Sequence, residues 1–354
     1  MKIKSLSHHP NIIKLFNWEY WPFNVVYGPI YPYWLWLALK SRSFFFFNAA
    51  NPGITNGGFL MDSKEEIYNL IPNQYYPPTV FFEAGAGLRE VNCGIQKKGL
   101  RFPLVAKPNV GQNGRMVKTL YDETDLKNYL GQIDEPFIVQ QWIEWEREIG
   151  LFYYRFPGEE KGHISGIVEK LPLTVTGDGT STIEQLIVAK KRAILQWKFL
   201  KQEYKNELQV VLPAGKRKVL VSYGNHIRGS KFIDVSNLID EKLTAVFNQV
   251  CGKVSSFHYG RLDIRFSSWE ELKEGKNFAI IELNGSGSEP THIYDSNHSI
   301  FFAWKEIIRH WIILQRISMR NHRIKSIPFL SFKEGIRMLR DHRSHLKKVK
   351  DPKK

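Results

Sequence analysis

The sequence predicts an α/β (α+β) protein with mixed sheets. Short apolar runs with strand periodicity recur along the chain, capped helix patterns stand between them, and Gly, Pro and Asn punctuate the joins. The 354 residues are 43% hydrophobic and 24% charged, ordinary globular proportions and enough chain for two or three cores. Cys93 and Cys251 lie far apart without Cys/His ligand spacing. Neither a disulfide framework nor a zinc site is expected, and a reducing, cytoplasmic setting fits.

In chain order, residues 33–41 read as a Trp- and Leu-rich helix, 44–47 as a short buried strand, and Asn51, Pro52 and Gly53 as a turn. Together they predict a small N-terminal α/β unit over 1–62. Residues 21–39 carry no charge, but Pro22, Pro29 and Pro32 with Asn24 and Gly28 break that stretch long before it could cross a bilayer. The first twenty residues lack an apolar core followed by a small-residue cleavage site, so no cleavable signal peptide is expected. Asp62 or Ser63 opens a helix with Glu65 and Glu66 in its first turn, ending before Pro72. A strand at 79–82 follows. Residues 103–107 then form a strand, 110–114 a glycine loop, 116–120 a strand, 123–130 a helix and 137–140 a strand, closing a unit over 63–143. Over 144–304, strands are expected at 148–154, 162–168, 260–266 and 278–283, with helices at 183–189 and 243–254. In LPLTVTGDGTSTIEQLI, Gly177, Asp178 and Gly179 make a tight turn and Thr182 caps the helix that follows.

The net charge of +15 is concentrated: residues 305–354 hold 15 Lys/Arg against 4 Asp/Glu and supply +11 of it, predicting a basic helical tail. Such a tail suits nucleic acid, an anionic membrane or an acidic partner, or is a solvated helix face. Nucleic acid is disfavoured, because no module interleaves stacking aromatics with Arg and Lys.

Two constellations carry chemistry. The first joins YGRLDIRF, from Tyr259, to FAIIELNGSGSEP, from Phe278. Strand alternation puts Arg261, Asp263 and Arg265 on one face of the first strand, and Ile280, Glu282 and Asn284 on one face of the second. Carboxylates and a side-chain amide are hard oxygen ligands suited to Mg²⁺. The alternative is a hairpin with an exposed polar face. The second constellation is FPLVAKPNVGQNGRMV, where Lys107 ends an apolar strand before a loop containing Gly111 and Gly114. Backbone N–H groups of such a loop, with an ammonium beside them, can close over phosphate; a plain hairpin turn is the alternative.

In this order and roughly 150 residues apart, the two constellations resemble the ATP-grasp superfamily, in the branch containing D-alanine:D-alanine ligase and cyanophycin synthetase. The resemblance spans about residues 63–294 and includes the VTGDGTSTIEQLI segment. It implies two α/β subdomains clasping ATP, the one over 63–143 carrying the phosphate loop and the one over 144–304 the metal site. Lys107 would touch the α- and β-phosphates, and Lys64 fits the first ATP lysine best, with Lys97 and Lys98 as alternatives. Gln140, Gln141, Trp142 and Ile143 stand at the adenine hinge, with Gln replacing the family's Glu and Lys, and Glu148 matches the ribose-binding carboxylate. Asp263, Glu282 and Asn284 would hold Mg²⁺, or Mn²⁺ in its place. Arg261 would steady the transferring phosphate and later oxyanion, with backbone donors at Gly285, Ser286 and Gly287 on the substrate side.

The implied activity is an ATP- and Mg²⁺-dependent ligation of a small-molecule carboxylate to an amine or similar nucleophile. It passes through an acyl phosphate and releases ADP and phosphate. A non-catalytic ATP-binding regulatory module is the rival reading. The first sixty residues depart from the D-alanine ligase pattern, and NPGITNGG, from Asn51, is either a substrate loop or an ordinary turn. His163, His258, His292 and His298 read as surface or packing residues, and of these four only His292, just after the Ser286 to Pro290 loop, lies where a substrate could reach it. Trp18, Trp21, Tyr27, Tyr31, Tyr33, Trp34 and Trp36 either pack a small core or, with the basic tail, give a cytoplasmic enzyme a peripheral contact with the inner, anionic face of a membrane.

Overall fold

A computed structural model describes residues 9–111, 114–221, 224 and 226–350, without the side chains of residues 227 and 347–350. Gln112 and Asn113 of the glycine loop, and the last four residues of the basic tail, lie outside the described residues.

Three antiparallel sheets organise the chain. Strands β1 (Thr79–Phe82), β2 (Leu104–Pro108), β3 (Lys118–Leu120) and β4 (Phe137–Gln141) form one, in the order β1-β4-β2-β3. Helices Leu88–Lys97 and Glu123–Leu130 cover one face, burying Val91, Ile95, Leu126 and Tyr129 against Leu104, Ala106, Phe137 and Val139. A second sheet, in the order β11-β10-β5-β6-β9, consists of β5 (Arg147–Tyr154), β6 (His163–Leu171), β9 (Lys231–Asp234), β10 (Tyr259–Phe266) and β11 (Phe278–Asn284). Its apolar face, with Ile149, Leu151, Leu262, Ile264 and Ile280, packs on Leu243, Phe247, Val250 and Cys251 of helix Glu241–Gly252. Strands β7 (Leu173–Thr176) and β8 (Arg217–Val221) form a small third sheet that packs on helix Ile183–Ala189. Every strand pair among the described residues is antiparallel, so the molecule is α+β and the sheets are not mixed.

The N-terminal unit differs from the expectation. The predicted strand at 44–47 is instead a 3-10 turn, Phe46–Ala50, and no strand occurs among described residues before Thr79. Phe46 and Phe47 are buried with Trp34 and with Ile313, Leu314 and Ile317 of the long helix Ile300–Lys325. A short aromatic run buried on all sides has no periodicity to separate strand from helix. The uncharged 21–39 stretch is broken as its prolines require, into helix Phe23–Tyr27, a 3-10 turn Gly28–Ile30 and helix Tyr31–Ser41. Among the described residues no helix is long and apolar enough to cross a membrane.

Candidate active site

The N-terminal helices, the Ile300–Lys325 helix, the polar face of the five-stranded sheet and, from the end of the four-stranded sheet, Pro108, Val110, Gly111 and Gly114 enclose a cleft of about 1590 Å³. Lys64, Lys107, Gly111, Gly114, Arg261, Asp263, Glu282, Asn284, Ser286 and Gly287 all line it. Phe332, Leu339, His342 and His345 of the C-terminal helix Phe332–Lys350 stand at its edge, with His345 Nε2 3.9 Å from Glu135 Oε2.

Register builds the floor. Asp263 of β10 pairs with Glu282 of β11 on one side and with Gly150 of β5 on the other. A β-bulge follows on β11: Asp263 faces Glu282, but Ile264 faces Ile280, leaving Ile281 as the extra residue. Strict alternation had placed Ile280 on the face of Glu282 and Asn284. The bulge corrects this, because one inserted residue reverses the parity. Ile280 is therefore buried in the core while Glu282 and Asn284 line the cleft. The Ile281 carbonyl accepts hydrogen bonds from Tyr68 Oη at 2.6 Å and Lys107 Nζ at 3.0 Å.

Lys107 is 8% exposed, and its ammonium also donates to Gln140 Oε1 at 3.2 Å and Tyr68 Oη at 3.3 Å. Burial lowers its pKa to about 8, against the opposing pull of Glu282, Glu148 and Asp263. Lys64 follows the Ser63 cap of helix Lys64–Leu70, and its ammonium lies 3.4 Å from the carbonyls of Asn109 and Gly111. Lys97 and Lys98 are exposed and do not line the cleft, so of the three lysines Lys64 is the one beside Lys107.

A residue that sequence reasoning missed completes the floor. Lys170, at the end of β6, pairs with Glu148 Oε1 at 3.1 Å and Asp263 Oδ2 at 2.9 Å. Burial works against its charge, but the two carboxylates outweigh it and its pKa is raised. Arg261 grips Asp263 through Nε to Oδ1 at 2.8 Å and Nη2 to Oδ2 at 3.2 Å. Burial would raise the Asp263 carboxyl, but Arg261 and Lys170 prevail and hold it below the usual carboxylate range. Gly150 makes room for this pair: a Cβ there would sit 3.2 Å from both Arg261 Cδ and Asp263 Oδ1. The only sequence signal for Lys170 is a lysine ending an apolar strand, the pattern that singled out Lys107.

The adenine and ribose assignments fare differently. Gln140, Gln141, Trp142, Ile143 and Glu148 do not line the cleft. Gln140 accepts from Lys107 and donates to Thr79 Oγ1 at 2.8 Å, while Gln141 exchanges hydrogen bonds with the Arg101 backbone at 3.0 and 2.9 Å. Trp142 lies under the Arg265 guanidinium, which also donates to the Ile143 carbonyl. Glu148 is buried against Lys170, and Gly224 covers it so closely that a Cβ there would lie 2.4 Å from Glu148 Oε1. The hinge glutamines thus hold Lys107 and the Arg101 loop in this structure, with no amide facing the cleft.

Two further expectations are corrected. The Ser286 and Gly287 amides donate to the Gly57 and Gly58 carbonyls, each at 3.0 Å, so they are not available to an oxyanion. NPGITNGG is thereby explained: Gly57 and Gly58 take positive φ and lie backbone to backbone against the Gly285–Gly287 turn, where a Cβ on Gly58 would be 2.7 Å from Gly285 Cα. His292 is buried against Glu306 at 3.3 Å and does not line the cleft.

Among the described residues no three His, Cys, Asp or Glu side chains converge as a metal site. The donor set is two carboxylates and an amide, which suits a cation that takes few protein ligands and keeps its waters. Asp263 accepts three hydrogen bonds out of roughly four lone-pair positions, which leaves one direction open. The Asn284 Nδ2 group is buried without an acceptor; as a donor it suits a phosphate oxygen, whereas a cation would take Oδ1.

No protein-family model matches the chain. Among curated proteins it is 24% identical over 209 residues to the glutathione biosynthesis bifunctional protein GshAB of Streptococcus mutans serotype c, a match covering 54% of this chain and 28% of that protein. The chain thus spans little more than a quarter of that relative's length. Among solved structures it aligns with a D-alanine–D-alanine ligase from Bacillus anthracis with a TM-score of 0.43 and 15% identity, covering 77% of this chain and 71% of that one. A bifunctional glutathione synthetase from Pasteurella multocida aligns with a TM-score of 0.38 and 14% identity, covering 72% and 38%.

Proposed function

We infer that this chain is a ligase of the ATP-grasp superfamily, joining a small-molecule carboxylate to an amine with ATP as the energy source. The observation that carries the reading is the cleft itself. Lys64, Lys107, Lys170 and Arg261 bring four cationic groups to one cavity beside Asp263, Glu282 and Asn284, the charge arrangement that a bound triphosphate requires. Lys64 and Lys107 flank the Pro108–Gly114 loop, so phosphate oxygens placed there exchange the carbonyl contacts of both ammonium groups for charge-assisted ones. Mg²⁺ held by Asp263, Glu282 and Asn284 would offset phosphate charge and orient the oxygens.

Arg261 sits where the substrate carboxylate would meet the γ-phosphate. Attack by a carboxylate oxygen forms a C–O–P link as the bond to the β-phosphate oxygen breaks and ADP leaves. The neutral amine then adds to the acyl carbon, phosphate departs with the C–O electron pair, and the nitrogen gives up one proton to the departing phosphate. Arg261, oriented by its two bonds to Asp263, is the cation assigned to that charge.

The test is ADP release by the purified protein over a panel of carboxylates and amines. Asp263→Asn, Glu282→Gln and Asn284→Ala are each expected to abolish Mg²⁺-dependent turnover while the protein stays folded. Full activity in all three variants removes the metal assignment, and ATP binding without ADP release for any pair leaves a binding module.

A peripheral contact with an anionic membrane belongs to the same proposal. Most of the N-terminal aromatics pack inward, Trp18, Tyr27 and Trp34 among them. The outer face of helix Tyr31–Ser41 nevertheless exposes Leu35 at 51%, Trp36 at 49% and Leu39 at 70%. Lys40 lies over the Trp36 ring and lines a groove with Arg316, Arg320, Arg323 and the exposed Ile324. Apolar side chains ringed by cations suit a headgroup layer.

A further inference from the structure

Beyond Arg261 the cleft continues into a lobe that the nucleotide chemistry does not use. Its walls are aromatic. Tyr27, Tyr31, Trp34, Phe59, Tyr294 and Trp311 all line the cleft, with ring centroids 6.1 Å apart for Tyr27 and Trp311, 5.1 Å for Trp34 and Trp311, and 6.4 Å for Trp34 and Phe59. The rings come from four separate parts of the chain: the N-terminal helices, the residue after the turn Thr55–Gly58, the turn Thr291–Tyr294 and the long helix Ile300–Lys325.

One carboxylate stands among them. Glu289 lines the cleft, and its oxygens accept hydrogen bonds from the phenols of Tyr27 and Tyr294, the latter at 3.3 and 3.4 Å. Among the described residues no basic side chain forms an ion pair with it. Arg261 comes near but reaches only the Glu289 backbone carbonyl, at 3.5 Å, because its guanidinium is committed to Asp263. Glu289 is half-buried on the cleft wall, where a cationic ligand can reach it. Two phenols orient it, and the Arg261 guanidinium acts on it through space without forming an ion pair. The faces of the surrounding rings carry negative potential, which repels anions and attracts a cation. A carboxylate and aromatic faces together select a positively charged group, and apolar walls select the body that carries it.

We propose that Glu289, held by Tyr27 and Tyr294, is the binding residue for the ammonium group of the acceptor substrate, and that this substrate is a primary amine on an aromatic or other flat apolar body. What the amine does next rests on the ligase reading; its binding does not. The site abuts Arg261, so an amine seated there lies next to the group assigned to the acyl phosphate.

The experiment separates the two claims. Intrinsic tryptophan fluorescence, which Trp34 and Trp311 supply from the wall of the lobe, is titrated without ATP using 2-phenylethylamine and its neutral counterpart 2-phenylethanol. The amine is expected to bind at least tenfold more tightly. Glu289→Gln is expected to remove that preference while leaving the alcohol's affinity and the ATP-induced thermal shift unchanged, which shows that the variant is folded. Tyr27→Phe is expected to weaken the preference by a smaller factor. Equal affinity for amine and alcohol in the unaltered protein, or an amine preference that survives Glu289→Gln, overturns the proposal. Amine binding with no ADP release from any substrate pair overturns the ligase reading and leaves this site standing. ADP release with an amine KM unaffected by Glu289→Gln does the reverse.

Discussion

Lys107 illustrates how far a residue's role depends on what surrounds its charge. Its ammonium is held by the Ile281 carbonyl, Gln140 and Tyr68, and burial brings its pKa down to about 8. A phosphate favours the charged form, so ATP binding above that pH requires proton uptake. The sign follows: affinity is steady below pH 8 and falls above it, by up to about tenfold per pH unit. Titrations of ATP from pH 6.5 to 9.5 are expected to show that fall, and Lys107→Ala to abolish most of the binding together with its pH dependence. A flat profile in the unaltered protein dissociates the lysine from the phosphates. Lys170 presents the opposite balance: it stands between two buried carboxylates, each of which has one further cation, Arg265 at 3.6 Å from Glu148 and Arg261 at 2.8 Å from Asp263. Lys170→Met leaves Glu148 and Asp263 short of a counter-charge and is expected to lower stability by about 3–5 kcal/mol, the range for breaking a buried pair from one side. Urea unfolding measures it, and a loss below about 1 kcal/mol shows that Arg261 and Arg265 carry the carboxylates without it.

Among the elements, the bulge on β11 has the largest consequence. A regular β11 would place Ile280 with Glu282 and Asn284, and one of the two polar groups or the isoleucine would be on the wrong side of the sheet. The extra residue sends Ile280 into the core, turns Glu282 and Asn284 into the cleft and frees the Ile281 carbonyl for Tyr68 and Lys107. The VTGDGTSTIEQLI segment is structural by comparison. Asp178 accepts from the amides of Thr180 and Ser181, and Thr182 and Gln185 form a reciprocal cap at the start of helix Ile183–Ala189. Thr182→Ala is expected to cost about 1 kcal/mol of stability. Turnover is expected to stay unchanged, measured as ADP release beside a denaturant midpoint; a lost kcat with a normal midpoint would place this turn in the chemistry.

For the whole molecule, the cleft exists only because distant parts of the chain assemble around it. The C-terminal helix is seated through Met338 in the core shared with Phe45 and Ile317, and Gly335 lies so close to the Phe45 ring that a Cβ there would be 2.3 Å from it. Helices Tyr31–Ser41 and Ile300–Lys325 bear the groove residues assigned to membrane contact, and the C-terminal helix adds further Lys and Arg. Sedimentation with vesicles is expected to recover the protein with anionic but not neutral lipid, less so in high salt, after truncation at Pro328, or in a Leu35→Ser, Trp36→Ser, Leu39→Ser variant. Each engaged cation contributes about 1 kcal/mol, so a few suffice for a measurable shift. Equal recovery in the supernatant with and without anionic lipid at low salt removes the membrane contact.

The sequence by itself determined the elements whose signal is local. Thr182 caps its helix by accepting the amide three residues on, and helices Glu123–Leu130 and Ile183–Ala189 cover the residues their pattern predicts, while between Asp62 and Ser63 the structure selects Ser63 as the cap. Lys107, Arg261, Asp263, Glu282 and Asn284 were also legible, because a polar residue recurring in or ending an apolar strand must face something other than the core. Tertiary structure alone decided the rest. The parity of β11 depends on a bulge that propensity does not encode. Lys170 becomes part of the floor only when β6 pairs with β5 and brings it over Glu148. The hinge glutamines turned to Lys107 and the Arg101 backbone because those partners come from other strands and loops. Phe46 and Phe47 curl into a turn because they are enclosed by helices far away in sequence, and Glu289 meets the Tyr27 phenol by a contact spanning 262 positions. Hydrogen-bond partners brought together across such separations leave no periodicity in the chain, so they are read only once it has folded.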